Sequence, residues 1–260
     1  MVLRKLRWIL WHSFLISEYF LLSAIIRLAT KDKKLRRKRL VQNNSRISKQ
    51  FLRAFNVKLS IKNPQELQKM QSKAYLAVSN HTTYLDIILL AAMENFVFIT
   101  SVEMRHNPFL GKITRNGGCL YTNRKKFVSL PQEIENFASA IREGFNVLLF
   151  PEATSTNGIT VQPFRKSLFQ VAISAQCAIL PLCLKYKKID GKKIAKENRD
   201  LIYWYGDMPF FSHYWKLIGH SLEAEIEVLD AVPYKEGKTR RELAAEIYQQ
   251  ILFCYEKKES

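Results

Sequence analysis

The stretch from Tyr75 to Met93 limits the fold more than any other. Tyr75 to Ser79 is a short apolar run of strand length, Asn80 to Asp86 is polar, and Ile87 to Met93 is apolar again. A buried strand that stops in a polar loop and restarts as a helix is the junction of α/β proteins, which keep their chemistry where strands end. Asn80 to Asp86 therefore occupy a position where sites are built.

Two residues there can act together. His81 can take a proton from a hydroxyl near neutral pH, and a carboxylate on its other ring nitrogen would hold its tautomer and stabilise the cation. Asp86 is that carboxylate. The His-x-x-x-x-Asp spacing exceeds one helical turn, so His81 must lie in the loop, with Asp86 reaching back from the first turn of the helix. A second reading stands beside this one. Thr83-x-x-Asp86 also fits a capping pattern, with Thr83 on the free amides and Asp86 at the positive end of the helix dipole, which leaves His81 an ordinary loop histidine.

Charge and hydropathy narrow the partner. A chain of 260 residues with 47% hydrophobic content suffices for one large domain and an appendage, and its formal charge of +18 calls for nucleic acid or an anionic membrane. Trp8 to Ile26 is nearly continuous apolar and aromatic sequence, which selects the membrane. Glu18 and His12 interrupt it, and a carboxylate at mid-bilayer costs about 2.5 to 3.5 kcal/mol. Cations flank it on both sides, Arg4, Lys5 and Arg7 before and Lys31 to Arg39 after. Both flanks prefer the cytoplasmic side, so the segment is expected to be a monotopic anchor rather than a span. The basic block would then lie on headgroups, each cation contributing about 1 kcal/mol. No small-residue cleavage site precedes that block, which argues against a secretory signal. The expected division is residues 1–40 as anchor and 41–260 as the globular unit. No nucleic-acid-binding motif is present, and the four cysteines form no C-x-x-C pair, so neither a metal site nor a disulfide framework is expected.

The remaining chain supplies elements and further candidates. Ser45 to Ala54 reads as a helix, Val57 to Ile61 as an edge strand, Pro64 to Lys73 as a polar connection, and Phe96 to Val102 as a strand. Glu103 to Gly111 reads as a loop turning at Pro108, and Cys119 to Asn123 as a strand ending in Arg124, Lys125 and Lys126. Arg124 suits paired bonds to phosphate or carboxylate, or else belongs to a solvated turn. After a helix from Pro131 to Glu143, the strand Asn146 to Phe150 runs into Pro151 and Glu152, a carboxylate suited to hydroxyls or a cation, or an ordinary loop acid. Phe164 to Gln176 reads as a helix whose first turn holds Arg165 and Lys166, where cations oppose the dipole and an anion would be welcome. Ala178 to Leu184 is a strand broken by Pro181, expected at an edge or a bulge. Leu201 to Tyr205 and Ala224 to Leu229 read as strands, and Thr239 to Tyr255 as the closing helix. Met208 to Ile218, with Phe210, Phe211, Tyr214 and Trp215, either dips toward lipid or enters the core.

Taken together these stretches resemble the glycerolipid acyltransferases, the family that includes the lysophosphatidate acyltransferases. Its blocks recur in order: Asn80-His81-x-x-x-x-Asp86; Glu103 to Arg124 with Pro108, Gly111 and Gly118; Phe150-Pro151-Glu152-x-Thr154; and Ile179-Leu180-Pro181-Leu182. The resemblance covers Ala74 to Tyr186, and Tyr203-Trp204-Tyr205-Gly206-Asp207 looks like the tail of many bacterial members. It implies an α/β domain with a mixed sheet flanked by helices, of the glycerol-phosphate acyltransferase type, behind a helical N-terminal anchor on the cytoplasmic face of a membrane. It implies transfer of an acyl group from acyl-coenzyme A or acyl carrier protein to a lysolipid hydroxyl, without cofactor or metal. His81 would be the base and Asp86 its partner; Arg124, Glu152, Thr154, Arg165 and Lys166 would bind the acceptor; Asn80, Gly118, Pro151 and Pro181 would shape the site. This chain departs from the family at Ala153, usually glycine, and at Ser155, often arginine. Lysophosphatidate is the first expected acceptor and lyso-ornithine lipid the alternative. An inactive basic membrane-binding scaffold is a reading from another class.

Overall fold

Most short apolar runs become strands, and the central ones are covered on both faces. A computed structural model describes residues 2–123 and 127–257. It begins with α1 (Val2–Ala29), α2 (Lys33–Ala54), β1 (Val57–Lys62), α3 (Pro64–Lys69), β2 (Leu76–Ser79) and α4 (Leu85–Met93). It continues with β3 (Phe96–Ser101), α5 (Val102–His106), α6 (Leu110–Asn116), β4 (Leu120–Thr122), α7 (Leu130–Arg142) and β5 (Asn146–Leu149). It closes with α8 (Gln170–Ala175), β6 (Ile179–Ile189), β7 (Lys192–Lys193), α9 (Phe210–Leu217), β8 (Leu222–Val228) and α10 (Arg240–Glu256).

The eight-stranded sheet has the order β1-β8-β6-β2-β5-β3-β4, with β7 paired to β6 in a hairpin. All neighbours are parallel except β6 with β8 and β6 with β7, so the sheet is mixed as expected. Strand β2 shows how it is held. Leu76 and Val78 enter an apolar layer shared with Phe137 of α7, Val171 of α8 and Ile247 of α10, while Ala77 enters the opposite layer with Leu89 of α4 and Phe55. Side chains alternate across a strand, so apolar residues at every position require cover on both faces. Each large side chain buried this way contributes about 1.5 to 3 kcal/mol.

The expectations hold at β1, β2, α4, β3, α7, β5, β8 and α10, within a residue or two at their ends, and fail in six places. The helix expected from Ser45 begins at Lys33 as α2. The connection after β1 contains α3, which opens with Pro64 at its first turn. The loop expected over Glu103 to Gly111 is two short helices, α5 capped by Ser101 and α6 after Pro108. Leu201 to Tyr205 is no strand; Trp204 N instead donates to Thr82 O at 3.0 Å, so this segment packs against the His81 loop as irregular chain. The helix expected from Phe164 begins later, after a short 3-10 turn at Ser167–Phe169. Strand β6 runs beyond Leu184 and is internal. Pro181 is nevertheless tolerated because Leu180 and Pro181 face the longer stretch Leu229 to Ala231 between the pairs Leu182↔Val228 and Ile179↔Val232. The bulge breaks the ladder on the side where proline lacks a donor, as the sequence required.

The first two helices form a hairpin laid on the domain. Its packed side accounts for the polar residues in the apolar segment: Glu18 pairs with Arg46 at 2.7 Å, and His12 is buried against Phe51 and Phe55. Tyr19 donates to Ile113 O at 2.8 Å, tying α1 to α6. The other side presents Leu6, Leu10, Phe14, Leu21, Ile25 and Leu28 in one exposed stripe. By length and composition Leu6–Ala29 is apolar enough to cross a membrane. The basic block opens α2, and the division expected at residue 40 falls inside that helix.

Candidate active site

The site begins where β2 ends. The buried Asn80 side chain donates to Leu184 O at 2.9 Å and accepts from Leu184 N at 2.8 Å, extending the β2–β6 pairing by one side chain. His81 follows with every backbone polar group engaged. Its N–H donates to Glu152 Oε1 at 2.6 Å, and its carbonyl accepts from Thr156 N at 3.1 Å. Its ring stacks on Phe150 at 4.2 Å between centroids.

His81 Nδ1 lies 2.9 Å from Asp86 Oδ2. Asp86 is fully buried and also accepts from Thr82 N at 2.6 Å, Thr83 N at 3.0 Å and Tyr186 Oη at 2.8 Å. The two sequence readings therefore meet in one carboxylate, which satisfies the loop amides and faces the imidazole. The cap expected from Thr83 is absent: its hydroxyl is buried and makes no hydrogen bond. With an ionised carboxylate beside Nδ1, that nitrogen carries the proton and Nε2 keeps its lone pair. His81 lines a cavity of about 420 Å³, whose walls include Ile16, Phe51, Ile88, Phe98, Met104 and Phe210. An imidazole thus lines a largely apolar chamber.

The other expected residues separate into groups. Arg124 lies outside the described residues, but both flanks of its segment are held by Glu133, which accepts from Thr122 Oγ1 at 2.7 Å, Asn123 N and Ser129 Oγ. Arg165 lines a second cavity of about 120 Å³ that shares Ile99, Phe150 and Ala153 with the first and includes Thr122 and Asn123. Thr154 and Ser155 line the large cavity, whereas Lys166 is exposed and lines neither. Arg165 and Lys166 precede the helix instead of forming its first turn, so the argument from an opposed dipole does not apply. Gly118 sits at φ +73° against Val41, where a Cβ would meet its methyl at 3.2 Å.

Glu152 was expected to meet the acceptor, yet both of its oxygens are taken. Oε1 accepts from His81 N and Oε2 from Gln162 N at 2.7 Å. Burial pushes this carboxyl up to about 7, although the N–H groups of Gln162 and His81 oppose the shift; the nearby Asp86 charge adds to it. Tyr186 is the residue the sequence reading missed. Burial and the Asp86 charge hold its hydroxyl well above the usual tyrosine range, so it stays a donor. An apolar strand residue carries no local mark of that contact.

An imidazole on the wall of an apolar chamber can remove a hydroxyl proton beside a lipid chain, the class of chemistry that acyl transfer to lipids requires. A family model described as Acyltransferase matches residues 58–185. A 1-acyl-sn-glycerol-3-phosphate acyltransferase from Neisseria gonorrhoeae is 28% identical over 177 residues, covering 68% of this chain and 67% of that one. A lyso-ornithine lipid O-acyltransferase from Pseudomonas aeruginosa is 30% identical over 177 residues, covering 68% and 66%. The crystal structure of the 1-acyl-sn-glycerophosphate (LPA) acyltransferase, PlsC, from Thermotoga maritima matches with a TM-score of 0.69 over 99% of this chain and 98% of that chain. At 16% identity the likeness shows a common fold. Residues 58–185 of this chain match the acyltransferase family, and the chain is an acyltransferase.

Ala153 adopts φ +61°, a region that penalises any Cβ, so Ala153→Gly is expected to stabilise the fold by about 1 kcal/mol in chemical unfolding. The folded state binds the Glu152 proton more tightly than the unfolded chain, so this group makes stability fall as pH rises from 4.5 to about 7. Glu152→Gln is expected to flatten that slope. It should also lower kcat roughly 10- to 100-fold, because one of the amides that fix His81 and its neighbour loop loses its acceptor.

Proposed function

We propose that this chain acylates a lysolipid hydroxyl from an acyl thioester, with His81 as the general base. Nε2 takes the hydroxyl proton as the oxygen attacks the thioester carbonyl, and the tetrahedral intermediate collapses by breaking the C–S bond. The imidazolium, stabilised by Asp86, returns the proton to the departing thiolate. The step balances without an enzyme nucleophile, cofactor or metal; acyl-coenzyme A or acyl carrier protein is the co-substrate. The observation that carries this reading is the His81–Asp86 pair, with His81 on the wall of a largely apolar cavity of about 420 Å³ that could receive an acyl chain.

Lysophosphatidate is the proposed first acceptor, giving phosphatidic acid. Arg165 beside the site supports an anionic headgroup, and Arg124 would add to it. Ser155, on the cavity wall where the family often has arginine, favours the alternative of lyso-ornithine lipid, as does the Pseudomonas relative. We assign the α1–α2 hairpin to the cytoplasmic face of a membrane. Its exposed apolar stripe would face lipid, with the cations of Lys31 to Arg39 at the headgroups.

The test is transfer of labelled acyl groups from coenzyme A and from carrier protein to a panel of lysolipids, by wild type and by His81→Ala. Transfer to lysophosphatidate that falls at least roughly 10²-fold in the variant is expected. Transfer confined to lyso-ornithine lipid would reassign the acceptor, and no transfer by wild type to any acceptor would favour the scaffold.

A further inference from the structure

A second apolar surface stands open beside α1. Helix α9 turns His213 and Leu217 inward, while Phe211 and Trp215, one turn apart on its outer face, are 65% and 57% exposed. Large aromatics in a short helix belong to a core when they are covered, and these are not. Phe211 is held in place by Phe109 at 5.6 Å and Phe210 at 5.3 Å between ring centroids, so the exposed ring rests on an ordered aromatic base. Tyr214 of the same helix meets His12 of α1 at 5.7 Å and Phe55 at 5.7 Å. The neighbours of His12 on α1, Leu10, Trp11 and Phe14, are themselves exposed. Tyr214 therefore ties α9 to the packed side of α1, whose exposed apolar stripe lies on that helix's other side.

We propose that α9 is a second membrane-contacting element, lying in the interface of an anionic phospholipid bilayer with Phe211 and Trp215 among the acyl chains. The proposal extends the acyltransferase reading by giving the lipid its entrance. Among the residues lining the large cavity, Thr154 and Phe211 stand exposed. One exposed edge is polar and follows Glu152, which holds the His81 amide; the other is apolar and carried by α9. An acyl chain entering past Phe211 never leaves an apolar surrounding, which avoids the cost of about 0.8 kcal/mol for each methylene drawn through water.

The chemistry favours lipid over a protein partner. Eight residues span about 12 Å, too short to cross a bilayer, so the helix lies along the surface. Lys216 on α9 and Arg7 on α1 are exposed beside the aromatic rows, an arrangement that sets cations at headgroups and tryptophan at the interface. A second copy of a chain with net charge +18 would bring the same cations against themselves.

The experiment uses the full chain in vesicles of equimolar phosphatidylglycerol and phosphatidylcholine, with one nitroxide label per variant: Trp215→Cys, Leu10→Cys on α1, and Lys192→Cys in the β6–β7 hairpin. Of the native cysteines, Cys177, Cys183 and Cys254 are buried and Cys119 is half-buried, so the introduced thiol reacts first. Collision rates with oxygen and with a water-soluble nickel chelate are read by power saturation. Labels at 10 and 215 are expected to favour oxygen and the label at 192 the chelate. A label at 215 that favours the chelate while that at 10 favours oxygen overturns the proposal and leaves the α1 anchor standing. Labels at both positions in water overturn the anchor as well. A label at 215 shielded from both reagents overturns it in favour of a protein contact.

Discussion

A carboxylate without solvent is the constraint on which the rest of the site depends. Asp86 is fully buried, and an uncompensated ion in that position costs several kcal/mol even after relaxation. It is stable only when the Thr82 and Thr83 amides, the Tyr186 hydroxyl and the His81 ring all converge on it. Those donors come from the loop after β2 and from β6, with α4 supplying the carboxylate. The parallel register of β2 and β6 makes this convergence possible: Ser79 pairs with Leu182, Asn80 clamps Leu184, and Tyr186 follows on the same face of β6. Sheet pairing thereby gathers the carboxylate and its donors at the ring of His81.

Glu152 plays the corresponding part from the other side. One carboxylate aligns the ring of His81 and the other aligns its backbone, and Phe150, two residues before Glu152, supplies the surface on which the ring lies. The loop after β5 is thus a support for the base as much as a wall of the cavity. Its Ala153 holds a left-handed conformation, φ +61°, that favours glycine.

The strand-loop-helix junction and the pairing of His81 with Asp86 were legible because they follow from local length, polarity and spacing. So were the strands whose residues are apolar at every position. Tyr186 was not, because a tyrosine in a buried strand reads as packing until a distant carboxylate is seen against it. Glu152 was legible as a candidate but not in its contacts, since backbone amides leave no trace in side-chain identity. Leu201 to Tyr205 has the composition of a strand, yet Trp204 spends its amide on Thr82 O, so tertiary contact overrode propensity. Arg165 and Lys166 were read one turn too deep into a helix because Phe164 and Phe169 continue its apolar pattern across a 3-10 turn. Glu18 and His12, which looked like flaws in a lipid-seeking helix, proved to mark its packed face.

The central claim is that the buried Asp86 makes His81 a base. Its most direct test is the acyl-transfer rate of Asp86→Asn with both substrates saturating, alongside an unfolding curve that reports an intact fold. The account predicts a fall in kcat of roughly 10²- to 10⁴-fold with KM nearly unchanged, since an amide holds the ring less well and stabilises no imidazolium. A folded variant whose kcat stays within a few-fold of wild type would contradict it.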